Sequence, residues 1–482
     1  MAGKKDSTAA TKVASTSDAS GTGAGEKMDF KRILPIFVIV LVDLLGLTII
    51  VPLLPIYAAS YGANAVVIGI LGAAYPVMQF IGAPLLGRLS DRFGRKPILL
   101  ISQIGTFAGF ILMGLSGNIT LLFVARIIDG LSGANISTAQ AAIADSTTEK
   151  TRTQALGLIG AAFGIGFTIG PVIAFASLAA SGNDYHVPAF VAAACSLGSM
   201  LLTAFWFKET LPADRRGHTA QRASVSIGSM LKAISIPQVG FLLVLMFVQQ
   251  FAFGGFENIF SLFSLSRLGL NAAGNSVIFV FLGVLITVIQ GGMIGPWSRK
   301  YGDRWLIYMG LATLAIGLFL MAVTPNQAVP WYSKAGITTE LTASHTLPGE
   351  VSATKSVQVE LPADGNTGAL GLIWIVVALI PATIGGGVLS PAINSAITKR
   401  VALNELGGML GLSAAFVSLA NALAPLVGGT LFQLLGSSAP FLLFAVLCAV
   451  MWVLARREVK EQPQRQPEMA PALANLPVQR EV

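Results

Sequence analysis

Residues Gly87–Pro97 read GRLSDRFGRKP, and five of these eleven residues are charged: Arg88, Asp91, Arg92, Arg95 and Lys96. Over the whole chain of 482 residues, only 11% are charged and 54% are hydrophobic. A soluble protein carries about 25% charged residues. The charged run stands between two long apolar stretches, so it is predicted to be a short polar loop between two segments that cross a lipid bilayer.

Apolar segments recur along the rest of the chain. Twelve are long enough to cross about 30 Å of hydrocarbon as helices. Their backbone groups must pair within the segment, and their apolar runs are continuous rather than alternating, so an all-α integral membrane protein is predicted. The segments start near Ile33, Ala65, Ile98, Leu121, Gln154, Val187, Val239, Asn275, Trp305, Ala369, Leu406 and Ala439.

The distribution of positive charge predicts how the chain is oriented. Most of the 31 Lys and Arg residues lie in the tails and the even-numbered loops. The odd-numbered loops hold only Arg267, Lys334 and Lys355. By the positive-inside rule both termini are cytoplasmic, which fits an even number of spans in the inner membrane of a cell.

Composition shifts divide the chain into domains. The ends are rich in small polar residues or in Pro and Gln, which is typical of disorder. A long basic loop separates the first six spans from the last six. The predicted units are a disordered cytoplasmic tail (1–32), a six-helix bundle (33–207), a cytoplasmic linker (208–236), a second six-helix bundle (237–457) and a second disordered tail (458–482).

The outer loop at residues 325–368 lies between spans nine and ten. It is polar and holds Glu340, Glu350, Glu360 and Asp364. Two forms are compatible with it, a small ordered cap and a floppy insertion. Its length and composition favour the floppy insertion.

The two halves of the chain repeat each other. The pair Gly87 and Gly94 ends span two, and the pair Gly295 and Gly302 ends span eight at an offset of 208 residues. Pro171 in span five corresponds to Pro425 in span eleven at an offset of 254 residues, and an insertion of about the length of the outer loop accounts for the difference. Parallel six-span repeats with a binding site between them are typical of secondary transporters.

The loop motif and two further motifs resemble the major facilitator superfamily, and within it the twelve-span drug:proton antiporters. Arg126 to Ala134 resembles the span-four pattern R-x-x-x-G-x-x-x-A, and Gly166, Gly170 and Pro171 resemble the antiporter signature G-x-x-x-G-P. The loop signature G-x-L-x-D-R-x-G-R-[KR] is matched by Gly87, Leu89, Asp91, Arg92, Gly94, Arg95 and Lys96.

Two shorter stretches are similar to the tetracycline-exporter branch of that family. They are Asp43 to Pro55 around span one and Ala141 to Asp145 at the end of span four. The resemblance implies alternating access around a cavity between two bundles and proton-coupled efflux of small hydrophobic or amphiphilic compounds, such as drugs or tetracycline-like antibiotics. Ala174-Phe175 replaces the glycine pair that usually follows the antiporter signature, which leaves a metabolite symporter or uniporter as the alternative.

The sequence argues against an enzyme, a metal site and a nucleic-acid-binding protein. Neither HExxH nor GxSxG occurs, and no histidine falls within a predicted span, so neither an enzyme nor a metal site is predicted. The net charge of +8 is spread over short loops rather than one polar domain, which argues against a nucleic-acid partner. The expected partners are a small-molecule substrate, protons and the lipid bilayer, with no cofactor, and the chain is expected to act as a monomer.

Charged residues deep in the spans are the candidate site, because burying a charge in hydrocarbon is costly. Asp43 lies about ten residues into span one, roughly 15 Å deep. It is predicted to exchange protons, and the resemblance favours an ion pair with Arg126. The alternative is a static ion pair that locks helix one to helix four.

Asp129 is a second carboxylate of the candidate site. It lies three residues after Arg126 and can pair with it along one helix face. Gly133, Ser137 and Gln140 continue that face, which is predicted to line the cavity.

Glu257, in the middle of span seven, is the third candidate carboxylate. It is predicted to bind a proton or a cationic or zwitterionic ligand; the alternative is a structural acid between helices. Asn258, Gln290 and Asn421 are candidates for additional hydrogen bonds. Four residues share the face of Glu257 at helical spacing: Gln250, Phe253, Ser261 and Ser264.

The opening motif is also predicted to be part of a gate. Gly87 would let another helix approach closely, and Gly94 would permit a tight turn. Asp91 would bind the positive N-terminal end of span eleven or a nearby arginine. This contact would join the two halves on the cytoplasmic side in the outward-facing state. In span five, the glycines would permit close helix packing and Pro171 a kink.

Overall fold

A computed structural model describes residues 30–133, 135–147, 149–212, 216, 227–236, 239–343, 358–401 and 406–458. Within these ranges the chain is helical, and its one β feature is an isolated bridge between Ala328 and Thr367. Most of the predicted tails lie outside the described residues. The first helix begins at Phe30 and the last helix ends at Glu458, so the helical part extends slightly beyond the predicted bundle boundaries, 33 and 457.

Sixteen α-helices make up the described structure, together with one π-helical segment at Ile289–Met293 that joins two of them. The α-helices are α1 (Phe30–Ile50), α2 (Leu54–Ser60), α3 (Ala65–Phe93), α4 (Arg95–Gly114), α5 (Ile119–Ser132), α6 (Asn135–Asp145), α7 (Glu149–Ser181), α8 (His186–Phe205), α9 (Ile227–Ile234), α10 (Val239–Leu268), α11 (Ala272–Val288), α12 (Ile294–Ala322), α13 (Lys334–Ala343), α14 (Leu370–Thr398), α15 (Leu406–Leu435) and α16 (Ala439–Glu458).

Eleven stretches of the described residues are long and apolar enough to cross a membrane. One of them, Ala272–Ala322, is 51 residues long, and its backbone reverses at Gly302, where φ is 77°. It therefore contains two crossings, and the described residues form the twelve transmembrane helices that the sequence predicts. The fourth crossing, Ile119–Asp145, is made of α5 and α6 together. Below, the inner side is the side on which α1 begins, and the outer side is opposite.

The two six-helix halves meet along two pairs of helices. In one pair α3 packs on α15, and in the other α7 packs on α11. Glycines allow these backbones to approach closely. A Cβ atom on Gly69 would collide with the carbonyl oxygen of Pro425, and one on Gly283 would collide with the backbone of Phe167.

The two copies of the repeated motif make the same backbone turn. Gly94 ends α3 with φ at 106°, and Gly302 interrupts α12 with φ at 77°. A side chain is strained in this left-handed region, whereas glycine adopts it readily. Each turn joins two consecutive membrane crossings, so both copies of the motif reverse the chain on the inner side.

The outer loop contains an ordered cap, so the expectation of a floppy insertion is wrong for residues 325–343 and 358–368. The two legs of the loop are hydrogen bonded to each other, because Ala328 N donates to Asn366 O at 3.0 Å and Gly368 N donates to Ala328 O at 2.8 Å. Val329 N also donates to Leu268 O, the last residue of α10. These backbone pairs hold α13 over the outer face, which composition does not predict.

Candidate transport cavity and gating residues

A small central cavity lies between the two halves, within about 680 Å³ of space that is free of protein atoms and includes open solvent. Its walls come from α1, α2, α3, α5 and α7 on one side and from α10 and α15 on the other. Most of the lining is aliphatic, with Phe167 as an aromatic member. Only three polar side chains reach it from the described residues: Arg126, Glu257 and Asn258.

Glu257 is the acidic group of this cavity. Within the described part of the chain its carboxylate has no hydrogen-bond or ionic partner. The neighbouring Asn258 lies beside it and donates its amide to Gly254 O at 2.8 Å. A carboxylate without a partner on an apolar wall can bind a cation or a proton from the cavity.

The predicted face of α10 reaches the cavity only in part. Gln250 donates to Asn421 Oδ1 at 2.9 Å within the second half. Ser261 and Ser264 are fully buried, and Ser264 donates to Asn275 Oδ1 at 2.5 Å. Gln250 and Ser264 thus join α10 to its neighbours, whereas Ser261 Oγ is buried without a hydrogen-bond partner in the described structure. Leu262 lines the cavity together with Glu257. The rotation of α10 about its axis, set by packing on α14, α15 and α16, decides which residues face the cavity.

The predicted ion pair between Asp43 and Arg126 is wrong, because each of the two residues has another partner in the structure. Asn135, at the start of α6, donates to Asp43 Oδ2 at 2.5 Å. Arg126 pairs with Asp129 at 2.9 Å, and its guanidinium lies 4.6 Å from the centre of the Tyr75 ring. Asp129 lies one turn along the helix from Arg126, so this pair forms without bridging two helices.

A second, much smaller cavity lies inside the first half, within about 260 Å³ of space that is free of protein atoms and includes open solvent. Both carboxylates, Asp43 and Asp129, line it, and so do Tyr75 and Thr106. Asp43 Oδ1, Thr106 Oγ1 and Arg126 Nε are buried without a hydrogen-bond partner in the described structure. Leu47 lines this cavity and the central one, so its side chain stands between the two carboxylates and the substrate space.

Sequence reasoning missed several of these residues and included others, among them Gln140 and Gln250, that line neither cavity. Gln140 is exposed and belongs to the lining of neither. Asn135 carried a signal, because an amide within an apolar span is costly unless it is bonded. Leu47, Tyr75 and Thr106 gave no such signal, since similar side chains occur throughout the spans.

Arg95 is the centre of the loop motif and is only 1% exposed. It donates to Asp91 Oδ1 at 2.5 Å and to Ser90 Oγ at 2.8 Å. Its Nε donates to Asp145 Oδ2, at the end of α6, at 2.8 Å. The nearby arginine predicted for Asp91 is thus Arg95. The alternative partner, the start of span eleven, involves residues 402–405, which lie outside the described residues.

Glu209 binds the start of α4 and anchors the same motif to the end of span six. Its carboxylate accepts from Arg95 N at 2.9 Å and from Lys96 N at 3.1 Å, as expected for an anion at a helix N-terminus. Lys96 Nζ donates to Ala204 O at 2.8 Å. Gly94 is required here, because a Cβ atom on it would collide with the Glu209 carboxylate.

Arg92 and Gly87 take less part in this cluster. The Arg92 guanidinium lies 5.2 Å from the centre of the Phe93 ring on the exposed surface. No atom of the described residues lies within 4 Å of the place that a Cβ on Gly87 would occupy. The close helix approach predicted at Gly87 is therefore absent from the described structure.

The second half repeats this cluster with the charges exchanged. Asp303 follows Gly302 as Arg95 follows Gly94, and Lys399 corresponds to Asp145 at the end of the matching span. Lys399 Nζ donates to Asp303 Oδ2 at 2.6 Å, and Ser395 Oγ donates to the same oxygen at 2.8 Å. Both halves therefore join the loop after their second span to the inner end of their fourth.

The glycines of the antiporter signature pack α7 against α1. A Cβ on Gly170 would collide with Thr48, and one on Gly166 would lie 3.5 Å from Leu44 Cβ. Pro171 lies inside α7. On the other face of α7, the hydroxyl groups of Thr168 and Thr287 are 2.9 Å apart across the interface between the halves. This helix thus holds α1, with Asp43, against the second half.

Two six-helix repeats that enclose a central cavity define a secondary transporter. The sequence profile of the Major Facilitator Superfamily matches residues 36–348 and 366–479. The chain belongs to that family, and it is a multi-pass protein of the inner membrane with a small-molecule substrate.

Curated relatives extend along most of the chain. The class B tetracycline resistance protein of Escherichia coli is 26% identical over 401 residues, which cover 82% of this chain and 87% of the relative. The class D protein of Salmonella ordonez is 28% identical and covers 83% and 90%. Multidrug resistance protein 2 of Bacillus subtilis (strain 168) is 27% identical and covers 83% and 89%.

Solved structures share the fold at lower identity. A human organic anion transporter superposes with a TM-score of 0.59 at 20% identity, covering 89% of this chain and all of that one. A POT family transporter in complex with 5-aminolevulinic acid superposes with a TM-score of 0.65 at 13% identity, covering 89% and 96%. These likenesses extend to the fold alone.

Proposed function

We propose that this protein is a proton-coupled exporter, which exchanges small hydrophobic or amphiphilic compounds for protons by alternating access. The observation that carries this function is the pair of adjoining cavities. One has mostly apolar walls and the carboxylate of Glu257, and the other holds Asp43 and Asp129. Relatives named as tetracycline and multidrug resistance proteins support the same substrate class.

The central cavity would select its substrate by apolar contact and by one charge. Aliphatic walls bind apolar surface without directional demands, which suits compounds of varied shape. Arg126 is paired with Asp129, so its wall carries little net charge, whereas Glu257 stands opposite without an ionic partner. A compound with one positive charge or a zwitterion satisfies that carboxylate, and a proton does so when the compound leaves.

Asp43 and Asp129 would hold the coupling proton. Asp43 Oδ1 is buried without a donor, so a proton bound there removes a charge that is costly in this place. Binding of the proton changes the balance of charge in the first half and shifts the population between inward-facing and outward-facing states. Release of the proton to the cytoplasm would then restore the state that accepts substrate.

The proposal also includes the orientation and assembly. The chain would lie in the bilayer with both termini in the cytoplasm, as the distribution of Lys and Arg predicts. It would act as a monomer. The units 1–32, 33–207, 208–236, 237–457 and 458–482 would then be tail, bundle, cytoplasmic linker, bundle and tail.

Transport in proteoliposomes with an imposed pH gradient tests the function. The probes are tetracycline and a lipophilic cation, tetraphenylphosphonium. We expect Asp43→Asn and Glu257→Gln to abolish proton-driven uptake of at least one probe while the protein stays folded. Gln140→Ala is the matched control, because Gln140 lies in a span but lines neither cavity.

The direction of proton movement separates export from the alternatives. An antiporter moves protons out of the compartment that the probe enters, a symporter carries both in the same direction, and a uniporter moves none. Proton-driven transport at the unmodified rate by both Asp43→Asn and Glu257→Gln would contradict the proposed roles.

A further inference from the structure

The outer cap, residues 325–343 and 358–368, belongs to the second half by sequence but contacts the first half. Its helix α13 packs on α2 of the first half. Leu341 is 1% exposed, and it lies in one apolar cluster with Tyr57 and Leu178 of the first half. Val359, on the returning leg of the cap, belongs to the same cluster. The cap is therefore anchored by apolar burial across the boundary between the halves.

Glu340 on α13 makes the polar contact across this boundary. Tyr185, fully buried at the outer start of span six, donates its hydroxyl to Glu340 Oε1 at 3.0 Å. Asn271, at the outer start of span eight, donates its amide to Glu340 Oε2 at 3.0 Å. One carboxylate thus accepts hydrogen bonds from both halves, and bonds to an ionised acceptor are among the stronger ones in proteins.

Both donors are held in position by their surroundings. Asn271 Oδ1 accepts from Gly274 N at 2.9 Å and thereby caps α11, which leaves the amide nitrogen directed at Glu340. Burial, together with the neighbouring Glu340 carboxylate, raises the pKa of Tyr185 well above its usual range. The phenol therefore stays protonated at physiological pH, so it can donate its hydrogen bond to Glu340.

The outer ends of the halves are closed in this structure. Besides the Glu340 contacts, Ala65 N at the start of α3 donates to Gln433 Oε1 near the end of α15 at 3.1 Å. Gly69 and Gly429 also lie in backbone contact there. Alternating access requires these ends to separate when the cavity opens outward.

We propose that the outer cap is a latch on the transport cycle, with Glu340 as the positioning residue that joins Tyr185 of the first half to Asn271 of the second. The latch stabilises the outward-closed state, and its bond to Tyr185 breaks each time the cavity opens outward. Its strength sets how often the outer side opens. The inference rests on alternating access, which the proposed function also uses, but it requires neither a proton nor a particular substrate.

Side-specific labelling tests the latch. The reporter is Leu262→Cys, which places a thiol in the central cavity, in a chain that also carries Cys195→Ala and Cys448→Ala. A membrane-impermeant maleimide is added to the outer side of intact cells. We expect Glu340→Ala to raise the labelling rate roughly fivefold, since the closed state loses a hydrogen bond to a charged group.

Two further variants keep the test decisive. Tyr185→Phe removes only the hydroxyl group that bonds Glu340, so it should raise labelling in the same direction even if Glu340→Ala fails to fold. Thr342→Ala, on the exposed face of α13, is the matched control and should leave the rate unchanged. An unchanged rate in folded Tyr185→Phe and Glu340→Ala would overturn the latch. Because labelling needs no transported probe, the labelling rates would still test the latch if the protein proved not to be a proton-coupled exporter.

Discussion

Among single residues, Leu47 has the position with the clearest consequence for coupling. It lies one turn after Asp43 on α1 and contributes to the walls of both cavities. An aliphatic side chain there separates the buried carboxylates from the space that substrate and water enter. Coupling requires that protons reach the carboxylates only together with the conformational change. Leu47 would therefore act as a barrier to protons, although nothing in the chemistry of a leucine side chain indicates this role.

Truncation of Leu47 should uncouple transport. Leu47→Ala would join the two cavities and admit water to Asp43 and Asp129. We expect a measurable proton leak down a pH gradient without substrate, and a lower ratio of probe moved to protons moved. A pH-sensitive dye inside proteoliposomes measures the leak.

Leu47→Met is the matched control for this prediction. It preserves most of the side-chain volume, so it should keep the barrier closed. A proton leak in Leu47→Ala no greater than in Leu47→Met would show that Leu47 is not the barrier.

At the level of helices, the pairs α3–α15 and α7–α11 decide how the halves meet. Their glycines are of two kinds. Gly283 faces the backbone of Phe167 in the other half, whereas Gly291, in the π-helical segment of the same span, has no described atom within 4 Å of its missing Cβ. Gly283 therefore allows two helices to make contact, whereas Gly291 contacts no neighbouring helix in this outward-closed structure.

Substitution of these two glycines should have very unequal consequences. Gly283→Val forces α7 and α11 apart, so we expect lower thermal stability and loss of transport. Gly291→Ala adds one methyl group where space is open, and stability should change by less than about 1 kcal/mol. Thermal unfolding of the purified proteins measures both. Equal stability of Gly283→Val and the unmodified chain would contradict the packing assigned to Gly283.

For the molecule as a whole, each half contains an equivalent inner cluster, and the charges of the two clusters are exchanged. Arg95 is buried between Asp91 and Asp145, whereas the Lys399 side chain that binds Asp303 is 63% exposed. Removal of one partner from a buried cluster is expensive, because charges remain without compensation. An ion pair with one exposed member is screened by water and contributes little.

The two clusters should therefore contribute unequally to stability. We expect Arg95→Ala to lower the free energy of unfolding by about 3 kcal/mol, and Asp303→Asn to lower it by less than about 1 kcal/mol. Arg88→Ala, an exposed arginine of the same loop, is the control and should have little effect. Thermal or denaturant unfolding in detergent ranks the three, and a larger loss for Asp303→Asn than for Arg95→Ala would reverse the assignment.

Much of the fold followed from local sequence. The number and place of the crossings were predictable because a backbone in lipid must form its hydrogen bonds within each segment, and the turns at Gly94 and Gly302 because one residue type tolerates a positive φ. The candidate carboxylates were predictable because charge is rare in hydrocarbon. Each of these arguments needs only neighbouring residues and the properties of the solvent.

Only the tertiary structure showed which side chains bind each other and which face of each helix lines the cavity. Asp43 binds Asn135 rather than Arg126, Glu257 faces the cavity while Ser261 does not, and the outer loop folds into a cap on the opposite half. Such outcomes depend on the rotation of each helix and on the distance between segments remote in sequence. A rotation of one residue position turns a side chain by about 100°, so packing between helices, rather than the pattern along any one of them, decides which groups meet.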